Sequence, residues 1–125
     1  EYENYYAQAN DEVLVIVQIE HKQAVENIEE ILSVPGIDIA FVGPYDLSAS
    51  MGLSGQPNHP DVQESCRKVI AACEKHNVTP AIMTWSGAIE QHVNMGFQFL
   101  LGGMDGQILY NGVKKLIHEF NDFTK

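Results

Sequence analysis

Runs of apolar residues alternate with apolar stripes at helical spacing along the chain. Residues 13–19 form a nearly continuous β-branched run, which is typical of a strand buried on both faces of a parallel sheet. Over residues 21–32 the apolar positions recur at helical spacing and predict a helix, which Pro35-Gly36 ends. Residues 37–42 predict a second strand, and a long loop containing glycine and proline follows it.

The same alternation continues through the second half of the sequence. Pro60 marks a helix start, because its missing N–H does no harm in a first turn, and Gly96 marks a helix end. The predicted elements are a helix from Pro60 with a buried stripe over 62–73, a strand at 78–83, a short helix at 86–95, a strand at 97–101, and a final helix with apolar positions over 108–123.

Four strand–helix units in succession indicate an α/β fold with parallel strands and helices outside the sheet. Two architectures fit this order: an open doubly wound sheet, or half of a TIM-type (β/α)8 barrel. A complete barrel normally takes about 250 residues, and this sequence has 125. If the chain is half of a barrel, the apolar inner face of its four strands must be covered by something outside these residues.

Charge and composition narrow the class of partner. The chain has 7 Lys and Arg residues against 17 Asp and Glu residues, a formal net charge of −10. This balance argues against a nucleic acid or an anionic membrane as partner, because both require a basic surface. No apolar run approaches the roughly 20 residues of a membrane helix, and no signal peptide opens the sequence. We therefore expect a soluble, cytoplasmic protein.

The two cysteines follow the same expectation. Cys66 and Cys73 lie on one face of a predicted helix, about 10 Å apart along its axis. A disulfide requires Cα atoms within about 7 Å. We therefore expect two thiols in the core, with neither a disulfide nor a zinc site.

Two acids stand where α/β proteins place their chemistry, at the carboxyl ends of strands. Glu20 follows the first predicted strand directly, and Asp46 lies a few residues beyond the second. Neighbouring strands are about 4.8 Å apart, so the two carboxylates could converge on a Mg²⁺ or Mn²⁺ ion. A structural interpretation also stays open, with Glu20 a solvent-facing acid in the first turn of a helix and Asp46 a cap for the turn at Leu47-Ser48.

Other polar residues near strand ends have structural interpretations. We expect His59 to shape the start of the helix at Pro60, and His92 to face solvent or the last turn of its helix. Trp85 and Ser86 would either line the mouth of a barrel or pack and cap locally. Asp105 is a candidate N-cap for the final helix.

Five segments together resemble the HpcH/HpaI aldolase family, the class II, metal-dependent pyruvate aldolases. They are VQIE at 17–20, VPGID at 34–38, FVGPYDLSASMG at 41–52, NHPDVQ at 58–63 and GMD at 103–105. The resemblance covers most of the chain. It implies that residues 1–125 are a single segment, the C-terminal half of a (β/α)8 barrel with strands five to eight, and that the N-terminal half is not part of this sequence.

The resemblance assigns roles to four residues. Glu20 and Asp46 are implied as the ligands of a divalent metal, and Gln18 as a substrate contact. Tyr45 stands where the family usually has Ala or Ser, whose backbone helps to hold the substrate carboxylate, so its larger ring would narrow the pocket or alter aldehyde selectivity. The family's catalytic His, Asp and Arg belong to the N-terminal half. No catalytic residue is therefore expected in this segment.

The function implied by the resemblance is that of an aldehyde-lyase. It would cleave a 4-hydroxy-2-oxo acid or a 2-keto-3-deoxy sugar acid reversibly to pyruvate and an aldehyde, through an enolate stabilised by Mg²⁺ or Mn²⁺, with Co²⁺ as a further alternative. The family also implies a homo-oligomer, a hexamer in its members. Two alternatives stay open: a citramalyl- or malyl-CoA-type lyase of the same superfamily, and a catalytically silent half-barrel that binds or assembles.

Overall fold

The computed structural model describes residues 2–124, which form seven helices and four strands. In chain order these elements are α1 (Tyr2–Glu12), β1 (Ile16–Ile19), α2 (Lys22–Glu26), α3 (Ile28–Leu32), β2 (Ile39–Val42), α4 (Pro44–Ser50), α5 (Pro60–His76), β3 (Thr79–Met83), α6 (Ile89–Met95), β4 (Phe99–Leu101) and α7 (Asp105–Phe123).

The four strands form one parallel sheet in the order β1-β2-β3-β4. The register aligns Ile19 with Val42, Val42 with Ile82, and Ile82 with Leu100. This confirms the predicted α/β fold with parallel strands. A doubly wound sheet reverses its strand order at a switch point, so the unbroken chain order favours the half-barrel interpretation.

The hydrophobic core lies between one face of this sheet and the helices α2, α3 and α5. Because side chains alternate between the two faces of a strand, Ile19, Val42 and Ile82 all point to this face, where each is at most 1% exposed. The stripe of α5 that the sequence predicts, including Val62 and Cys66, is fully buried against them. This layer of aliphatic contacts holds the strand ends in place.

The opposite face of the sheet is apolar and only partly covered. Ala81 is buried there in the middle of the sheet, but Ile16, Phe99 and Leu101 are 40–47% exposed on the two outer strands. The prediction that residues 13–19 are buried on both faces is therefore wrong for the described part of the chain, in which residues 13–16 are exposed. This uncovered face is the one that a half-barrel leaves open, as the sequence analysis anticipated.

Several element boundaries differ from the predictions, with local causes. The first strand begins at Ile16 rather than at residue 13, and the predicted helix over 21–32 is two short helices, α2 and α3, separated at Asn27. Asparagine has a low helix propensity, and here it caps the end of α2. The short helix predicted from residue 86 begins at Ile89, because Gly87 has a φ of +89°, which a right-handed helix does not accommodate.

The largest difference is α4, which occupies part of the predicted long loop. Its N-cap is Gly43 and its first residue is Pro44. A glycine and a proline in succession indicated a loop, but proline is also well suited to the first turn of a helix. The mostly polar helix α1 was likewise not predicted.

The predictions for helix ends are mostly confirmed. The N–H of Asp61 donates to Nδ1 of His59 at 3.2 Å, so His59 shapes the start of α5 as expected. Gly96 ends α6 in the left-handed conformation. The prediction for Asp105 is wrong: the N-cap of α7 is Met104, and Asp105 is the first helical residue.

Both cysteines are free and buried, as predicted. Burial raises the pKa of each of the two thiols, Cys66 and Cys73, to about 11. No helix within residues 2–124 combines the length and the apolar character that crossing a membrane requires.

One surface ion cluster joins α3 to α5. Oε2 of Glu29 accepts from Nζ of Lys75 at 2.7 Å and lies 2.7 Å from Nε2 of His76. The hydrogen bonds from Lys75 and His76 hold the pKa of Glu29 below its usual value of 4.5. A carboxylate with a lowered pKa in the folded state stabilises that state above its unfolded pKa, and the stabilisation is lost as the pH falls through the folded pKa.

Removing this charge gives a prediction about stability. We expect Glu29→Gln to lower the melting temperature at about pH 7, and the difference from the wild type to shrink as the pH falls below 4.5 and through the lowered pKa of Glu29. The measurement is thermal unfolding followed by circular dichroism across this pH range. Glu30→Gln, which removes the same charge from the neighbouring residue, is the control. Equal melting temperatures for wild type and Glu29→Gln at both pH values would contradict the role of the cluster.

Candidate active site

The candidate ligands lie at the carboxyl edge of the sheet, where β1 and β2 end side by side. Glu20 directly follows β1, and Gly43 directly follows β2. The N–H of Gly43 donates to the carbonyl oxygen of Ile19 at 3.3 Å. The β1–β2 ladder therefore continues beyond the last paired residues, and it places the backbone of Gly43 beside Glu20.

Gly43 provides the space that the side chain of Glu20 occupies. A Cβ atom at position 43 would lie 3.2 Å from both Cβ and Oε2 of Glu20, and 3.4 Å from Nε2 of Gln18. The φ of Gly43 is −95°, which any residue adopts. Glycine is thus favoured here by the close approach of Glu20 and not by the backbone conformation.

Gln18 holds the carboxylate of Glu20 in this position. Nε2 of Gln18 donates to Oε2 of Glu20 at 2.6 Å. The two residues are two positions apart in an extended segment, so both side chains leave the sheet on the face opposite the core. The other carboxylate oxygen, Oε1, accepts no hydrogen bond from any described residue, and it is available to a ligand.

Asp46 lies in the first turn of α4 and is exposed. The N-cap of this helix is Gly43, which has no side chain to donate or accept a hydrogen bond, and the Ser48 hydroxyl donates to the Tyr45 carbonyl oxygen. Asp46 is therefore a helical residue, and its interpretation as a cap is wrong. The corresponding interpretation of Glu20 is wrong as well, since Glu20 precedes the N-cap His21 and lies outside the first turn of α2.

The donor set at this edge suits a hard cation with few protein ligands. Among residues 2–124 no group of three or more His, Cys, Asp or Glu side chains is placed to hold a metal ion. Glu20 and Asp46 offer carboxylate oxygens only. Mg²⁺ is commonly bound by one or two carboxylates and keeps several waters, so the carboxylates of Glu20 and Asp46 fit such an ion in their chemistry.

A cavity of about 540 Å³ adjoins this edge, between the loops after β3 and β4 and the first turns of α7. Tyr45 and Trp85 form one side of it, with ring centroids 5.6 Å apart. Ser86 also lines it, as the barrel-mouth interpretation anticipated. Gln18 and Glu20 are not among its lining residues, and Tyr45 connects it to its neighbour Asp46.

His92 lies in the last turn of α6, which is one of its two predicted positions. The alternative that it faces solvent is wrong, because the residue is 1% exposed. Its Nδ1 is hydrogen-bonded to Oγ1 of Thr84 at 2.8 Å, and Nε2 has no partner among the described residues. Burial lowers the pKa of His92 below its usual value of 6.5, so the ring is neutral at neutral pH. The sequence contains one signal for the burial of His92, the apolar residue Ala88, which lies one helical turn earlier on the same face and is itself buried.

Comparison with known proteins identifies the family of this chain. The family model of the HpcH/HpaI aldolase/citrate lyase family matches residues 1–112. The chain therefore belongs to this family, and the resemblance carried by its sequence motifs is confirmed.

One curated relative is the 4-hydroxy-2-oxo-heptane-1,7-dioate aldolase of Salmonella heidelberg (strain SL476). It is 39% identical over 118 residues, which are 94% of this chain and 45% of the relative. The chain thus spans about half the length of the curated relatives that it matches.

Two solved structures of the same family have this fold. A family protein from Burkholderia cenocepacia J2315 has a TM-score of 0.89 at 33% identity, over 96% of this chain and 47% of that chain. The HpcH/HpaI aldolase from Desulfitobacterium hafniense DCB-2 has a TM-score of 0.85 at 34% identity, with the same two coverages of 96% and 47%.

Proposed function

We propose that this chain is the metal-binding half of a class II aldolase. The enzyme would cleave a 4-hydroxy-2-oxo acid or a 2-keto-3-deoxy sugar acid reversibly to pyruvate and an aldehyde. The observation that carries the proposal is the position of Glu20, which lies over the bare backbone of Gly43 and is held by Gln18 at 2.6 Å. Family membership and a relative that is named an aldolase support it.

Glu20 and Asp46 are the proposed ligands of a divalent cation, with Mg²⁺ or Mn²⁺ favoured by the all-oxygen donor set and Co²⁺ as a possible substitute. When bound, such an ion supplies positive charge against the negative charge that develops on the substrate oxygens. It also answers how a chain with a net charge of −10 holds an anionic 2-oxo acid.

The neighbouring residues bind and orient. Gln18 fixes the Glu20 carboxylate through Nε2, and its remaining amide N–H and Oε1 are available to the 2-oxo acid. Tyr45 is exposed at the junction between Asp46 and the cavity, where it would limit the aldehyde portion.

The proton-transferring base is proposed to come from the other half of the barrel. His21 and His59 each use Nδ1 to accept a backbone N–H at the start of a helix. His92 is buried behind the cavity. None of these three rings is free to take a proton from a substrate hydroxyl. Since the relatives are about twice as long as this chain, we assign residues 1–125 to the C-terminal half, with strands five to eight.

The reaction itself is tested by pyruvate release. With the protein expressed at the full length of its reading frame, we expect Mn²⁺-dependent release of pyruvate from a 4-hydroxy-2-oxo acid, and its loss in EDTA. Activity on a malyl- or citramalyl-CoA substrate alone would favour the CoA-lyase alternative. Turnover that is insensitive to EDTA, or absent, would contradict the aldolase proposal, and its absence would favour the silent half-barrel.

Removing either ligand gives a prediction about metal affinity. We expect Glu20→Gln and Asp46→Asn each to weaken Mn²⁺ binding by about 100-fold or more, because each removes a charged oxygen ligand from a site that has only two. Isothermal titration calorimetry measures the affinity. Glu90→Gln and Asp11→Asn make the same chemical changes at exposed positions elsewhere and serve as controls. Unchanged affinity in both site variants would show that the ion binds elsewhere.

Filling the space at position 43 gives an independent prediction. In Gly43→Ala the new Cβ meets Glu20 at 3.2 Å, which is tighter than an ordinary contact, so the carboxylate must shift. We expect about tenfold weaker Mn²⁺ binding with an unchanged circular dichroism spectrum. Gly112→Ala, where nothing lies within 4 Å of the added Cβ, is the matched control. Wild-type affinity in Gly43→Ala would contradict the claim that the space at position 43 sets the position of the Glu20 carboxylate.

We also propose that the protein is a cytoplasmic homo-oligomer that contacts neither nucleic acid nor membrane. Its buried free thiols suit a reducing compartment. The helix α7 carries a seam of exposed apolar side chains with alternating spacings of four and three residues, as in a coiled coil. These side chains are Leu109, Val113, Leu116, Phe120 and Phe123.

The proposed oligomer is tested at this seam. We expect the wild type to sediment as an oligomer at about micromolar concentration, and Leu116→Lys to shift it toward the monomer, because a charge would then be buried without a partner. Sedimentation velocity is the measurement, and Glu119→Gln, off the seam, is the control. A monomeric wild type would contradict this proposal.

A further inference from the structure

Tyr45 and Trp85 form an aromatic wall on one side of the cavity, which we call the Tyr45–Trp85 wall. Met83, Met104 and Ile108 add further apolar surface to the lining. None of the described residues that line the cavity is an Asp, Glu, Lys, Arg or His. The polar side chains of the lining, Thr84, Ser86, Gln107 and Asn111, are uncharged. A carboxylate placed here would gain hydrogen bonds but no cationic partner among the described residues, whereas an apolar or aromatic group would pack against the wall.

The buried side chain of His92 contacts this wall from behind. Its ring meets Trp85 edge-on, with centroids 5.5 Å apart and planes at 85°. Its Nδ1 is hydrogen-bonded at 2.8 Å to Oγ1 of Thr84, the residue that precedes Trp85. Both contacts act on consecutive residues of one loop, so His92 restrains the side chain of Thr84 and the ring of Trp85 together.

Stability alone does not account for an imidazole at this position. Nε2 of His92 is buried without a hydrogen-bond partner among the described residues. A buried polar atom in this state is unfavourable, and an apolar ring of similar shape would remove it. The ring of Phe97 also meets His92 edge-on, with centroids 6.0 Å apart, so an apolar ring at position 92 would keep this aromatic contact.

Resting on the proposed aldolase function, we propose that the Tyr45–Trp85 wall receives an uncharged, apolar portion of the aldehyde, and that His92 is the positioning residue that sets this selectivity through Thr84 and Trp85. The relative from Salmonella heidelberg is named for a heptane-1,7-dioate, a substrate with a carboxylate at each end. The cavity of the present chain favours a different aldehyde portion.

Two variants of His92 separate its two contacts. His92→Phe keeps a ring edge against Trp85 and loses the hydrogen bond to Thr84, whereas His92→Asn keeps a hydrogen-bonding group near Nδ1 and loses the ring. His92→Phe removes the unpartnered nitrogen but leaves the buried hydroxyl of Thr84 without its partner, so the two effects oppose each other. Its melting temperature is measured beside the kinetics and is expected to stay well above the assay temperature. A change in its kinetics then does not come from unfolding.

The first readout is kinetic, with the full-length protein and Mn²⁺ in the synthetic direction. We expect kcat/KM for benzaldehyde to exceed that for glyoxylate, which carries a carboxylate, by about tenfold or more. His92→Phe is expected to raise the KM for benzaldehyde by about tenfold and to leave the KM for pyruvate unchanged. Thr84→Val removes the same hydrogen bond from the other side, so the double variant should show no further increase. His118→Phe, on the exposed surface of α7, is the control.

The second readout needs neither metal nor turnover. Trp85 is the single tryptophan of the 125-residue sequence, and its emission, obtained by subtracting the spectrum of Trp85→Phe, reports on the wall. In EDTA we expect benzyl alcohol to change this emission in a saturable titration, and His92→Phe to weaken the apparent affinity by about tenfold. Acetate, as a carboxylate probe, should leave the emission unchanged.

The outcomes separate this inference from the proposed function. If no aldehyde is turned over, the proposed function fails, and the fluorescence titration alone decides whether the wall binds an apolar group under the control of His92. Preference for glyoxylate, or saturable binding of acetate in place of benzyl alcohol, overturns the assignment of the wall. Unchanged KM for benzaldehyde and unchanged benzyl alcohol binding in His92→Phe overturn the positioning role of His92.

Discussion

The parallel pairing of β1 with β2 is the constraint on which the candidate site depends. At the amino end of this pair, the N–H of Val15 donates to Oδ2 of Asp38 at 2.8 Å, and the N–H of Asp38 donates to the Val15 carbonyl oxygen at 3.0 Å. At the carboxyl end, the N–H of Gly43 donates to the Ile19 carbonyl oxygen. These bonds fix the register at both ends. A shift by one residue would reverse the faces of every side chain in β1 and separate Glu20 from Gly43.

Side chains alternate between the two faces of a strand, so one strand supplies both core residues and candidate site residues. Ile19 points into the core, whereas Gln18 and Glu20, its neighbours on either side, point to the open face. The polar residues Gln18 and Glu20, which the core would not accommodate, are therefore held in place by Ile19, which packs in the core. The open face remains incomplete within residues 2–124, and the family relatives are about twice as long as this chain. Both observations are expected of one half of a barrel.

The sequence predicted the parts of this structure that local physics determines. The four strands, the long helix from Pro60 and the capping role of His59 follow from hydrophobic spacing and from local hydrogen bonding, so the sequence pattern predicts them. The placement of Glu20 and Asp46 beyond neighbouring strands followed from the parallel topology.

Features that depend on tertiary packing were not predictable in the same way. The pair Gly43-Pro44 is compatible both with a loop and with a helix start. The packing of Leu47 against the core favours the helix α4. The burial of His92 depends on Thr84 and Trp85, which come from another element. The close approach of Glu20 to Gly43 is likewise a contact between residues that follow different strands, so the spacing of residues in the sequence does not predict it.

The central claim is that Glu20 and Asp46 bind one divalent cation at this edge. The most direct measurement is a crystal structure of the full-length protein with Mn²⁺, with the ion located by its anomalous scattering. The account predicts one peak within about 2.6 Å of a carboxylate oxygen from each of the two residues. An anomalous peak at another place would contradict it. So would two carboxylates that lie more than about 8 Å apart and share no ion.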